Sequence, residues 1–318
     1  MDNRRWTLDN KRRTRVFFTF LLFYLFTFPC FGQSSDTLHI AFTGDILLDR
    51  GVREQIAVTS ADSLFSPSVD SLLARCDVVV GNLECPVTTL RRPVYKRFIF
   101  RGEPAWLDVL HRHGFTHLNL ANNHSIDQGR EGLLDTRRHI LQAGMVPVGA
   151  GFTLREAAAP VLLSSRPRPV WLLVSQRLPL ENFPLLPFKP SVSQESLDTL
   201  CRRVSTLRSQ SPDACILVSL HWGTEHTLEP TLTQRRQAHR IIDAGADAII
   251  GHHTHTFQTV ETYRGRPIYY SIGNFIFDLE SDINTRACVV ELFVTRDTLH
   301  HHPHPVVINN SRPEVRKY

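Results

Sequence analysis

The stretch HLNLANNHSIDQGREGLLDTRRHILQAG, His117 to Gly144, contains the whole architecture in miniature. His117 to Ala121 reads as a short strand. It runs into the polar cluster Asn122-Asn123-His124, and a helix over Arg130 to Ala143 follows, closed near Gly144. A strand, a polar cluster at its carboxyl end and a helix are the repeat of α/β proteins. Ligands in open α/β sheets bind beyond those strand ends.

The same grammar extends in both directions. Upstream, Leu38 to Thr43 reads as a strand ending at Gly44-Asp45, and Asp77 to Val80 as one ending at Gly81-Asn82-Leu83-Glu84. Pro104 to His113 reads as a helix. Downstream come a short strand over Val146 to Gly149 and a strand pair over Val161 to Ser164 and Pro169 to Ser175. A proline-rich loop over Gln176 to Pro190 is expected to run irregularly over the surface, either as a plain connection or as a substrate-facing flap, and a helix over Ser193 to Ser209 follows it. Ala214 to Leu220 is a buried-type strand ending at His221-Trp222-Gly223. A helix over Thr233 to Ala244 leads to a strand over Ala248 to Ile250, ending at Gly251-His252-His253-Thr254-His255. Gln258 to Ser271 reads as a hairpin turning at Arg264-Gly265-Arg266, and Cys288 to Thr295 as a late strand. The hairpins in the second half predict a mixed sheet, or two sheets. No internal repeat or interdomain linker is visible.

Five strand ends thus carry Asp45; Asn82 and Glu84; Asn122, Asn123, His124 and Asp127; His221; and His252, His253 and His255. Each alone has an ordinary explanation as a cap, a turn former or a satisfied core group. As a set they point to a metal site. Mixed oxygen and imidazole donors suit zinc, manganese or iron better than calcium or magnesium. His253 and His255 are two apart, so an extended segment would point both the same way. A carboxylate between two cations can bridge them, and two ions about 3.5–4 Å apart activate water and stabilise a leaving oxygen.

Charge and composition narrow the function classes. Of the formal charge of +5, Arg4, Arg5, Lys11, Arg12, Arg13 and Arg15, opposed only by Asp2 and Asp9, account for nearly all. The rest of the chain is near neutral, which argues against nucleic-acid binding. That basic segment precedes the apolar run Val16 to Phe31, a secretion pattern. Residues 1–32 are expected to be a signal peptide or an N-terminal membrane anchor, with lipid attachment at Cys30 as a further alternative. The expected location is the periplasm or cell envelope. Residues 36–296 are expected to form the domain, and 297–318, with His300, His301, His302 and His304, a polar tail. The basic loop Arg91, Arg92, Lys96, Arg97 and Arg101 reads either as solvated surface or as a rim that steers anions.

The elements Gly44-Asp45, Gly81-Asn82-Leu83-Glu84, Asn122-Asn123-His124-Ser125-Ile126-Asp127-Gln128-Gly129, His221-Trp222-Gly223-Thr224-Glu225, Gly251-His252-His253-Thr254-His255 and Ser271-Ile272-Gly273-Asn274-Phe275, in this order, resemble the CapA family. This is the bacterial family of capsule synthesis and poly-γ-glutamate biosynthesis, related to calcineurin-like metallophosphoesterases. The resemblance spans roughly residues 38 to 280. It implies a metallophosphoesterase-like α/β/β/α sandwich with mixed sheets. It implies metal ligation by Asp45, Glu84, Asn123, His221, His253 and His255, with Asn82 competing with Glu84 for the second element. One or two transition-metal ions (Mn, Zn or Fe) would be held there. It further implies that His124 is the catalytic histidine and that Asp127 orients it. Two departures stand out. Leu47 occupies the histidine position of the first Asp-x-His element, and Asn82 or Glu84 replaces the second aspartate. The resemblance implies an anionic-polymer or phosphate-containing substrate and a membrane-bound polymer-synthesis complex as partner. The competing readings are a hydrolase or transferase, a polymer-binding envelope factor without catalysis, and a general phosphoesterase.

Overall fold

Strands whose alternate residues are apolar on both faces can only be buried between two layers, and the computed structural model of the chain, which describes residues 37–316, shows this arrangement. The strands are β1 (Leu38–Ile46), β2 (Val78–Leu83), β3 (His117–Asn119), β4 (Val146–Val148), β5 (Ala150–Gly151), β6 (Val161–Ser164), β7 (Val170–Gln176) and β8 (Ser191–Val192). They continue with β9 (Cys215–His221), β10 (Ala248–His252), β11 (Val260–Tyr263), β12 (Arg266–Tyr269), β13 (Asn274–Ile276), β14 (Arg286–Val294), β15 (Leu299–Asn309) and β16 (Arg312–Val315). The helices are α1 (Arg50–Val58), α2 (Pro67–Leu73), α3 (Ala105–Arg112), α4 (Gly129–Gln142), α5 (Leu154–Ala157), α6 (Leu197–Gln210), α7 (Leu232–Asp243) and α8 (Asp282–Thr285).

One sheet has the order β16-β15-β14-β1-β2-β3-β4, with β13 paired to the end of β1. The other has the order β11-β12-β10-β9-β7-β6. Both are mixed: β1 to β4 run parallel, as do β7, β9, β10 and β12, and antiparallel strands flank them. The period of two divides each strand between two cores. Ile40, Phe42, Val78, Val80, Cys215, Leu217, Ala248 and Ile250 meet between the sheets. Ala41 and Val79 face the layer that holds Leu72, Leu107, Leu110 and Leu133 from α2, α3 and α4. Ile216, Val218 and Ile249 face Leu200, Val204, Ala238 and Ile241 from α6 and α7. This is the expected α/β/β/α sandwich.

Local signals place the helix starts. Ser66 accepts the Val69 amide ahead of Pro67, and Thr231 with Gln234 closes a full capping box on α7. The hairpin β11–β12 and the pair β6–β7 form as expected. The helices α1, α2, α5 and α8 and the strands β5, β8, β13, β15 and β16 were not expected.

The tail expectation is corrected. Residues 299–309 pair with β14 over nine positions, from Arg286↔Val307 to Val294↔Leu299, and carry β16 on their other edge. Val306 and Ile308 join the core. The described residues, 37–316, fall within one compact unit. The histidine run concealed the period of two because its polar side chains find partners. His301 Nδ1 lies 2.7 Å from the Tyr269 hydroxyl, and His304 Nε2 lies 2.8 Å from buried Glu291. The expected signal or anchor over 1–32 lies outside the described residues. Among the described residues, no helix is long and apolar enough to cross a membrane.

Candidate metal centre

The carboxyl ends of β1, β2, β9 and β10 meet at one edge of the sandwich, and two glycines make the meeting possible. A Cβ on Gly44 would fall 2.2 Å from the Gly273 carbonyl oxygen, and one on Gly251 would fall 1.9 Å from that of Tyr270. Only glycine lets the segment leading into β13 lie against both strand ends. There the Asp45 amide donates to Gly273 and the Ile272 amide to Gly251. A register shift in β1 between Phe42 and Asp45 turns the Asp45 carboxylate into the site.

Asp45 is fully buried. Its Oδ1 accepts from Asn82 Nδ2 at 2.7 Å, and its Oδ2 accepts from the His253 amide at 3.2 Å. Burial pushes its carboxyl up, but the hydrogen bond and charge of His252, with His255 and His221, outweigh burial and hold it well below the usual carboxylate range. Glu84 goes the other way. Burial first, and then the charge of Asp45, push it well above the usual range. Both of its carboxylate oxygens are buried without a hydrogen-bond partner, as is Nδ1 of His252 and of His253. Burial also depresses His221, His253 and His255, His253 to about 3, so these rings are neutral donors.

The donor atoms form two sets, Glu84, His221 and His253, and Asp45, Glu84 and His255, each within 4.8 Å. Glu84 belongs to both. Orphaned carboxylate oxygens beside neutral imidazoles are what a divalent cation satisfies, so these residues fit a metal ion. Asn123 Oδ1 adjoins the first set, 2.7 Å from His221 Nε2. His255 Nδ1 lies 2.9 Å from Asn274 Oδ1, which orients the ring, and 3.5 Å from Asp45 Oδ2. Asn82, the competing second-element residue, lies behind the set. Its amide nitrogen reaches Asp45 and His221 Nδ1, while its oxygen accepts from Asn119 at 3.0 Å. Leu47 is buried in the core beneath α1 and offers no donor.

The expectation of an extended His253-x-His255 segment is corrected. Both residues have positive φ, +96° and +56°. The turn sends the rings apart, centroids 6.1 Å and planes 50° apart, so each reaches a different donor set.

His124 and Asp127 stand beside this centre. His124 Nδ1 lies 2.8 Å from Asp127 Oδ2, and the Phe100 amide donates to the same oxygen at 2.8 Å. Phe100 stacks on the His124 ring at 4.2 Å. Lys96, read from the sequence as part of an exposed basic rim, is buried instead. Its Nζ donates to Asp127 Oδ1 at 2.8 Å and to the Asn123 carbonyl at 2.9 Å, and lies 3.5 Å from His124 Nδ1. A lysine within a basic run carries no mark of burial, and only the fold reveals its partners. Arg101 pairs with Glu103, whereas Arg91 and Arg97 remain exposed. His124 and His255 border a cleft of ≈ 500 Å³, together with Arg50, Arg97, Glu225 and His226. The loop over 177–190 contributes no residue to the lining of this cleft. It packs on α4 through Arg130 over the Phe183 ring, and Asn182 reaches the Tyr95 carbonyl.

The match to the bacterial capsule synthesis protein PGA_cap model covers residues 39–279 and includes every residue of this centre. The chain belongs to the PGA_cap family. Relatives in this family include the PGA biosynthesis protein CapA of Bacillus subtilis, 32% identical over 248 residues, which cover 77% of this chain and 64% of that protein. The capsule biosynthesis protein CapA of Bacillus anthracis is 30% identical over 256 residues, covering 79% and 62%. The PGA_cap chain therefore spans a little under two thirds of the length of these relatives. Among solved structures, a hypothetical protein from Thermus thermophilus superposes with a TM-score of 0.52 at 14% identity, covering 84% of this chain and 98% of that one. The sulfate thiohydrolase SoxB of Thermus thermophilus gives 0.50 at 11% identity, covering 84% and 56%. These two share the metallophosphoesterase-like fold.

Proposed function

We propose that this PGA_cap protein is a metal-dependent hydrolase or transferase of capsule or poly-γ-glutamate biosynthesis. The observation that carries the proposal is Glu84, a buried carboxylate with no hydrogen-bond partner, common to two donor sets, one of which reaches the cleft through His255. Glu84, His221 and His253, with Asn123 adjoining, would hold one cation, and Asp45, Glu84 and His255 a second. A transition-metal ion (Mn, Zn or Fe) bound by these residues would supply Lewis acidity.

The chain's own residues supply the proton chemistry. Asp127 accepts from His124 Nδ1 and so leaves Nε2 for proton transfer to or from substrate. Lys96 and the Phe100 amide occupy Asp127 from its other sides and fix the pair. A module that only binds polymer has no need of a histidine oriented in this way. The substrate class is an anionic polymer or a phosphate-containing compound. This accords with the names of the Bacillus relatives. Export to the periplasm or cell envelope, and work beside a membrane-bound polymer-synthesis complex, complete the proposal; the basic-then-apolar N-terminus supports export.

Elemental analysis and capsule formation in complemented cells test this reading together. Glu84→Gln is expected to lose both metal and polymer. His124→Ala is expected to keep the metal and lose polymer, since a general acid contributes roughly 10²–10⁴-fold in rate. If His124→Ala makes normal polymer, the non-catalytic binding reading replaces the catalytic one. A wild-type chain that takes up no manganese, zinc or iron removes the metal centre from the proposal.

A further inference from the structure

The cleft has one wall with no assigned role. Arg50, at the start of α1, has a positive φ of +54°. A left-handed backbone at a residue with a long side chain is unfavourable and persists only where the surroundings impose it. Here Asp278 imposes it. Its carboxylate accepts from Arg50 Nε at 2.9 Å, from Arg50 Nη2 at 2.8 Å and from the Gly51 amide at 3.0 Å. The grip takes one edge of the guanidinium and leaves Nη1 without a hydrogen-bond partner among the described residues. The guanidinium carbon lies 5.5 Å from the centre of the Phe100 ring, and Phe100 in turn stacks on His124. Arg97 borders the same cleft, packs over Phe98 at 5.0 Å, and has no ion-pair partner among the described residues. Glu225 borders it too. An anion in the cleft is therefore drawn to the two arginines and away from Glu225.

We propose that Arg50 and Arg97 form an anion subsite beside His124, one that takes a carboxylate or phosphoryl group of the substrate. The subsite names the group recognised by the metal-centred reading above and rests on that reading for its catalytic meaning. Arg50 offers a pre-oriented donor edge, since Asp278 has already fixed its side chain; less freedom is lost when a ligand binds. Arg97 supplies the unpaired charge. Phe98, Phe100 and Phe277 give the cleft an apolar lining, which suits an anion carried on a hydrocarbon stem.

Calorimetric titration of the full chain tests this with two probes, a γ-linked glutamate oligomer and inorganic phosphate, with the metal content of each preparation measured alongside. Arg50→Asn removes the guanidinium while keeping a residue that tolerates left-handed backbone. Arg97→Gln acts at a second position, so a folding defect in one variant leaves the other decisive. Each is expected to weaken binding about tenfold, the scale of one charge-assisted hydrogen bond. Arg91→Gln, outside the cleft, is expected to change it less than about twofold. Loss confined to the oligomer assigns the subsite to carboxylate, and loss confined to phosphate assigns it to phosphoryl groups. Unchanged affinity for both probes in both cleft variants overturns the subsite. So does an equal loss in Arg91→Gln, or an unaltered chain that binds neither probe. A chain that carries no metal yet loses binding in the cleft variants supports the subsite and removes the metal-centred reading instead.

Discussion

Lys96 shows how much one side chain can depend on the fold around it. Its side chain is 2% exposed and that of its partner Asp127 is fully buried. In such a pair the cost of removing one partner lies in the charge left behind. Lys96→Met is expected to destabilise the domain by about 3 kcal/mol, seen as a lower urea midpoint with an unchanged slope. Adding Asp127→Asn is expected to recover part of that loss, because the stranded charge goes with it. A loss below about 1 kcal/mol would place the pair among ordinary surface contacts. In Lys96→Met the Asp127 carboxylate keeps the Phe100 amide and the His124 ring as partners.

At the level of elements, the strands built from histidine and proline are as structural as those built from valine. β15 covers the exposed edge of β14, and β16 covers β15 in turn. Its His304 meets Glu291, which also holds Arg75 and, at 3.2 Å, His39. Truncation after Asp297 would open that edge, expose the layer that Val306 and Ile308 complete, and leave Glu291 short of a partner. The truncated chain is expected to be aggregated or to lose its cooperative thermal transition. A soluble product with an unaltered melting curve would show β15 and β16 to be accessory. At the carboxyl ends of the parallel strands, backbone turns at His253 and His255 divide one motif between two donor sets.

For the molecule as a whole, the centre couples metal, protons and stability. With no cation bound, Glu84 has a folded-state pKa above its unfolded one, through burial and then Asp45. The folded state then binds more protons than the unfolded state, so stability falls as pH rises through that interval. The depressed histidines His221, His253 and His255 act in the opposite sense, but only below about pH 6.5, where the unfolded rings take up protons. Asp45 acts lower still, its contribution being lost only in strong acid. Chelated protein is therefore expected to lose stability as pH rises above the ordinary glutamate value of about 4.3, with the histidines opposing this below about pH 6.5, while the metal-loaded protein holds its own. Stripping a tightly bound ion at neutral pH is expected to lower the melting temperature by about 10 °C. Melting curves with and without chelator across that range decide the matter; identical curves would mean that no cation is held.

Alternating apolar runs and the polar residues that end them were enough, by themselves, to indicate an α/β chain and to bring forward Asp45, Asn82, Glu84, Asn122, Asn123, His124, Asp127, His221, His252, His253 and His255 as one set, while the α/β/β/α sandwich and the roles within the set came from the family resemblance. Both signals are local: side-chain period follows from strand geometry, and a ligand at a strand end is written beside its strand. What only the tertiary structure decided is long-range. Asn82 and Glu84 are two residues apart and chemically similar, and their roles separate because one side chain meets Asn119 and Asp45 while the other meets no hydrogen-bond partner. Lys96 becomes a buried clamp, Arg50 an oriented donor and the histidine run a paired strand only through residues 31, 228 and 13 positions away. Burial and partnership depend on which segments the fold brings together, and no period or spacing within one segment records that.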